Sequence, residues 1–154
     1  MYRSILVALD GSAQSATVLE LACTLITAGT ALHLVCVVDP AYALPDPDDG
    51  FDQAQYPAAA HEQHHAQALL EQARRELVSR DVTYTCNTLT GQPAQAICAE
   101  AQRIRADLIV IGHRHLSRLE RLISPSVGHQ ILNAAPCPVL VEVRQSPGEG
   151  PRPS

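Results

Sequence analysis

The sequence predicts a single α/β domain, an open parallel sheet with helices on both faces. Two observations carry that expectation. Branched-aliphatic runs without polar alternation, SILVAL at 4–9, ALHLVCVV at 31–38 and DLIVIG at 107–112, have the pattern of strands buried on both faces. Between the runs lie segments whose apolar residues recur at helical spacing, so strand and helix alternate four times before a closing strand. That order demands parallel strands joined by right-handed crossovers. At 154 residues the chain has the size of one such domain and is too short for two ordinary ones.

Each element has its own local justification. The first strand, 4–9, ends at Asp10-Gly11-Ser12, where Ser12 is a natural helix N-cap. Val18, Ala22, Leu25 and Gly29 then recur at helical spacing, giving a helix over 13–28 that stops near Ala28-Gly29. After the second strand, 31–38, four prolines, Gly50 and the acidic group Asp46, Asp48, Asp49 and Asp52 break every pattern over 39–60, which reads as a long surface loop. Ala66, Leu69, Leu70, Ala73 and Leu77 mark one face of a helix over 60–80, and VTYTCNTL at 82–89 alternates as a third, less buried strand. Gly91-Gln92-Pro93 turns the chain into a helix striped by Ala94, Ile97, Cys98, Ala101 and Ile104, which leads to the fourth strand, 107–112. A basic segment, HRHLSRLERLISPS, separates Gly112 from a helix over 125–135 and the last strand, VLVEV at 139–143. SPGEGPRPS has the composition of a disordered tail, so the folded domain is expected over 1–144 and the tail over 145–154.

Composition then narrows the function. Hydrophobic residues at 46% against 18% charged residues suffice for a buried core and are too many for a disordered chain. A formal net charge of -5 argues against a nucleic-acid partner, as does the scarcity of aromatic residues, with no Trp and Phe51 the single Phe. All 11 basic residues are arginine, which excludes a Walker-type phosphate lysine, a Schiff-base lysine and a lysine general base. Cys23, Cys36, Cys86, Cys98 and Cys137 form no C-x-x-C pair, and four of them lie in apolar runs where a reduced thiol packs as a small hydrophobe. The opening MYRSILVALDGS is too short in its apolar run for a membrane span and lacks a cleavage site. The expectation is a cytoplasmic protein with no membrane association.

In open sheets of this kind ligands bind beyond the carboxyl ends of the strands, where strand order reverses. The candidates are therefore the residues that follow each strand: Asp10 to Ser12, Val37 to Pro40, Thr90 to Gln92, and Gly112 onward. Other patterns point less far. His61-Glu62-Gln63-His64-His65 fits H-E-x-x-H, but it stands at the start of a crossover helix with no third ligand at a metalloprotease spacing, and reads as exposed histidines able to chelate nickel or zinc without catalysis. Ser12 in D-G-S is not the G-x-S-x-G elbow of hydrolases. Cys137, between two prolines, reads as packing, and His33 and His129 as a strand and a helix-face residue; no catalytic or metal site is expected.

ILVALDGS, a second strand ending VCVVD, the GQPAQAI turn, DLIVIG before a long loop, and SVGHQILNAAPCPVLV fall in the order and spacing of one family. Over residues 2–143 the chain resembles the universal stress proteins. The resemblance implies strand order 3-2-1-4-5, a Rossmann-like fold akin to the adenine nucleotide alpha hydrolases, and a homodimer paired through the last strand, 139–143. It also implies an adenine nucleotide, ATP or AMP, at the reversal between strands 1 and 4, held by Leu9, Asp10, Val37, Gly112, His113, Arg114, His115, Ser126 and Val127. Nucleotide-binding members carry G-x2-G-x9-G-[S/T] here, because glycines let backbone amides approach phosphates and a helix N-terminus favours negative charge.

This chain keeps Gly112 and Ser126 but has His115 and Pro125 at the other two glycine positions. In that respect it resembles a His-rich branch thought not to bind ATP. Pro125 offers no N–H and cannot adopt positive φ. Arg114, Arg118 and Arg121 nevertheless concentrate positive charge in the segment, so an anion can still dock, and a nucleotide would be held by base and ribose more than by its phosphates. The resemblance implies a non-enzymatic stress-response regulator with no required cofactor and an unidentified protein partner. Two alternatives stay open: a nucleotide-independent dimeric interaction protein, and a slow ATP-hydrolysing enzyme.

Overall fold

The structure, a computed structural model, describes residues 1–10, 15–38, 57–112 and 126–142; for 57–62 and 126–129 it describes the backbone. Among the described residues five strands, β1 (Ser4–Leu9), β2 (Ala31–Val38), β3 (Thr83–Thr90), β4 (Leu108–Gly112) and β5 (Val139–Glu142), alternate with four helices. The helices are α1 (Ser15–Thr24), α2 (Pro57–Val78), α3 (Pro93–Arg103) and α4 (Ser126–Ala134). The strands form one sheet in the order β3-β2-β1-β4-β5, and every pairing is parallel. The expected fold class and strand order are those observed.

The absence of polar alternation in β1 now has its structural reason. Because side chains alternate across a strand, Ile5, Val7 and Leu9 enter one core with residues of α1 and α2, while Leu6 and Ala8 enter a second core with residues of α3 and α4. All five are at most 2% exposed. β3, at the sheet edge, is only half covered, which accounts for its alternating sequence.

Helix ends differ from the expected spans where local bonds decide. α1 stops at Thr24, four residues short of the apolar stripe's end, because Leu25 and Ile26 donate to Ala22 and Cys23 in tight i→i−3 turns while Thr24 Oγ1 donates to its own helix at Leu21 O. α2 begins three residues early, at Pro57, and α3 at Pro93; proline at a helix start loses no hydrogen bond and has φ already set. α3 closes with Arg105 in the left-handed region, its N–H donating to Gln102 O and that of Ala106 to Ala101 O, a Schellman cap that turns the chain into β4.

Gly91 closes the β3–α3 turn. Its N–H donates to Val38 O, and its φ of 142° is one that side chains rarely adopt. Space is not the constraint, since an added Cβ would meet only Ala96 Cβ at 3.8 Å. Gly91→Ala is therefore expected to cost about 1–3 kcal/mol through backbone strain alone, read as a lowered urea midpoint at unchanged m-value.

Two polar groups tie the sheet's amino end together. Asp107 accepts the backbone N–H groups of Arg3 and Ser4 at 2.8 and 3.0 Å, which hold its carboxyl below the ordinary range. On β2, His33 bonds Thr85 Oγ1 at 3.0 Å; burial holds its imidazole below the ordinary 6.5, with Glu100 opposing that and Arg103 reinforcing it. A group whose pKa is lowered on folding contributes stability above its unfolded pKa and loses it as pH falls through the folded value. His33 thus predicts weakening below about 6.5, and Asp107 a further loss below the carboxylate range. His33→Gln is expected to flatten the first stage of a pH series of urea midpoints and leave the second.

Candidate functional site

β1 is the point at which chain order reverses: β2 and then β3 lie on one side of it, β4 and then β5 on the other. The two flanks of β1 differ at their carboxyl ends. Against β2 the register holds through Leu9↔Cys36, whereas against β4 it ends at Val7↔Val110, although the strands run on to Leu9 and Gly112. β1 and β4 therefore part at their last residues. Gly112 remains paired with Glu142 of β5, so this early end of pairing is confined to the β1–β4 flank. In open parallel sheets the crevice beyond the carboxyl ends of the strands at such a reversal point is where ligands bind.

The expected site residues occupy this end in distinct ways. Leu9 ends β1, and its side chain is buried on the α1–α2 face. Asp10 follows directly and is half-buried; its Oδ1 accepts a hydrogen bond from Ser15 Oγ at 3.3 Å, which ties the carboxylate to the first residue of α1. Val37 is paired with Leu89 and packs on the opposite face, against the α3–α4 core. Gly112 is the buried last residue of β4. Ser126 and Val127 begin α4, and the N-terminus of that helix carries partial positive charge. The structure thus brings Leu9, Asp10, Val37 and Gly112 to one end of the sheet. Ser12, His113, Arg114, His115, Arg118, Arg121 and Pro125 lie outside the described residues.

Ser15 is the residue that sequence reading passed over. In Asp10-Gly11-Ser12 the nearer serine drew the capping role, and a serine three positions later carries no motif. Its 6% exposure and its bond to Asp10 make it the described anchor of that carboxylate.

The secondary motifs resolve as follows. His64 and His65 are exposed on α2, and the side chain of His61 lies outside what is described. Among the described residues no group of three or more His, Cys, Asp or Glu is arranged to hold a metal ion. Cys137 packs against the α3–α4 core, and all five cysteines are free thiols. Burial raises the thiol pKa of Cys23, Cys86, Cys98 and Cys137, which keeps them protonated and poorly nucleophilic. No described helix is long and apolar enough to cross a membrane.

Comparison with known proteins agrees with this architecture. The stress response protein NhaX of Bacillus subtilis is 29% identical over 89% of this chain and 95% of its own length. A solved universal stress protein family member from Burkholderia pseudomallei superposes with a TM-score of 0.66 at 28% identity, covering 91% of this chain and 95% of that one. A family member from Arabidopsis thaliana, solved with AMP bound, shares the fold with a TM-score of 0.63 at 21% identity, covering 94% of each chain. The sequence profile described as the universal stress protein family matches residues 1–144, and the chain belongs to that family.

Proposed function

We propose that the protein is a non-enzymatic stress-response regulator that binds an adenine nucleotide, AMP or ATP, where β1 and β4 part. The observation that carries this reading is the early end of the β1–β4 register at the topological reversal, the position where open parallel sheets hold their ligands. Backbone at Leu9 and Val37 would meet the base edge, and the Asp10 carboxylate, steadied by Ser15, would accept the ribose hydroxyls. Gly112, His113, Arg114, His115, Ser126 and Val127 would receive phosphate, the start of α4 adding favourable charge. The AMP-bound Arabidopsis relative lends support. No catalytic residue is assigned, and no cofactor is required.

A second reading, a nucleotide-independent dimeric interaction protein, is favoured by His115 and Pro125, which replace two cradle glycines. Both readings include a homodimer. β5 is an edge strand whose four residues are all half-buried, and pairing residues 139–143 across a two-fold axis would cover that edge. Five free thiols suit a reducing compartment, the cytoplasm.

The deciding experiment is to purify the protein without added nucleotide, identify by mass spectrometry any small molecule released on denaturation, and titrate ATP, ADP and AMP calorimetrically. Bound AMP or ATP, with heat of binding and no phosphate release, is the expected result. An empty protein that gives no heat with any of the three selects the interaction protein, and phosphate release selects a hydrolase.

A further inference from the structure

Helices α1 and α2 cover the same face of the sheet, and between them lies a cleft of about 330 Å3. Its cause is local: Ala16 on α1 and Ala68 and Ala73 on α2 stand where the two helices face each other, and methyl groups do not span the gap that longer side chains would close. The floor is aliphatic, with Leu9 and Leu19 at most 3% exposed. On α2 the lining runs from His65 to Glu76, twelve residues whose eleven steps span about 16 Å of helix, so the cleft is long and narrow. Its volume lies at the lower end of the roughly 300–1,000 Å3 that small-molecule sites occupy.

The charge of this cleft is opposite to that of a phosphate site. Among the described residues lining it Glu76 is the one with a formal charge, and none is an arginine, in a chain whose 11 basic residues are all arginine. The nearby guanidinium groups are engaged elsewhere: Arg80 with Glu20 across the α1–α2 contact at 2.6 Å, and Arg74 and Arg75 with Glu71. Glu76 has no basic partner among the described residues. A trough whose apolar surface comes from Ala16, Ala68 and Leu69 and which ends at such a carboxylate matches a molecule with a hydrocarbon body and a cationic head, the body removed from water over those side chains and the head beside Glu76.

We propose that the α1–α2 cleft is a binding site for small apolar amines, whose charged end at Glu76 lies along α2 from the Leu9–Ser15 end that it shares with the proposed nucleotide site. The test titrates the full chain with hexylamine, hexanol and hexanoate at slightly alkaline pH and follows backbone amide shifts by NMR. Hexylamine is expected to shift α1 and α2 resonances and to bind about fivefold or more tightly than hexanoate, with hexanol between them. Glu76→Gln is expected to bring the amine down to the level of the alcohol. Ala68→Leu, a change at an exposed position, is expected to remove binding of all three by filling the cleft. Equal affinity for amine and carboxylate, binding that survives Ala68→Leu, or no shifts with hexylamine would each overturn the proposal.

Discussion

Leu6→Ala is expected to destabilise the fold by about 3 kcal/mol, the middle of the range for a leucine truncated in a well-packed core. Leu6 has no exposed surface and sits in the central strand, between His33 of β2 and Ile109 of β4. Its side chain fills the α3–α4 core together with Val35, Ile97 and Ile131, each also fully buried. Elements on every side fix that space, so it cannot collapse around an alanine, and a cavity cost adds to the lost transfer energy. For a domain of this size the change corresponds to a fall in Tm of roughly 6–12 °C. Leu132→Ala, at an α4 position 51% exposed, serves as the control and is expected to stay within about 0.5 kcal/mol. Equal losses at the two sites would mean that the second core is not packed around β1.

The largest functional effect is expected from restoring the two absent glycines. His115→Gly with Pro125→Gly returns an amide donor at 125 and freedom of φ at both positions. Each hydrogen bond gained to a charged acceptor contributes about 1.5 kcal/mol or more, so ATP affinity should rise by about tenfold or beyond. AMP, held mainly by base and ribose, should gain much less. Calorimetric titration of both nucleotides into both proteins reads the difference. An unchanged ATP affinity would mean that glycine loss is not what weakens the phosphate end, and a matching gain for AMP would move the effect from the phosphates to the base.

The sheet was legible in the sequence because burial on both faces leaves few polar residues in a strand. SILVAL and LIVIG carry that mark, and every residue of the second is buried. Helix ends were less legible, since they are set by single hydrogen bonds: the α1 stripe continues past Thr24, where the i→i−3 turns stop the helix. At the site, Asp10 and Gly112 could be found because strand ends are where ligands sit in this architecture. The parting of β1 from β4 could not, because a ladder's length depends on sheet twist and not on residue type. Ser15 and the α1–α2 cleft share a different reason: serine and alanine are ordinary helix residues, and their meaning comes from what packs opposite them.

The central position of β1 also governs how the chain is made. Ile5 is paired with Leu108, more than a hundred residues away, while its other neighbour, Leu32, follows within thirty. On a ribosome adding about 5–20 residues per second, β1 and β2 emerge together, and the far edge of β1 then waits on the order of ten seconds for its second partner. Until β4 arrives, this largely apolar strand stands with an open edge, able to pair with any other extended chain. The crevice at the carboxyl end of β1 is thus among the last features to form, and a chain truncated before residue 108 would carry the β1 half of the site on an unprotected, aggregation-prone edge.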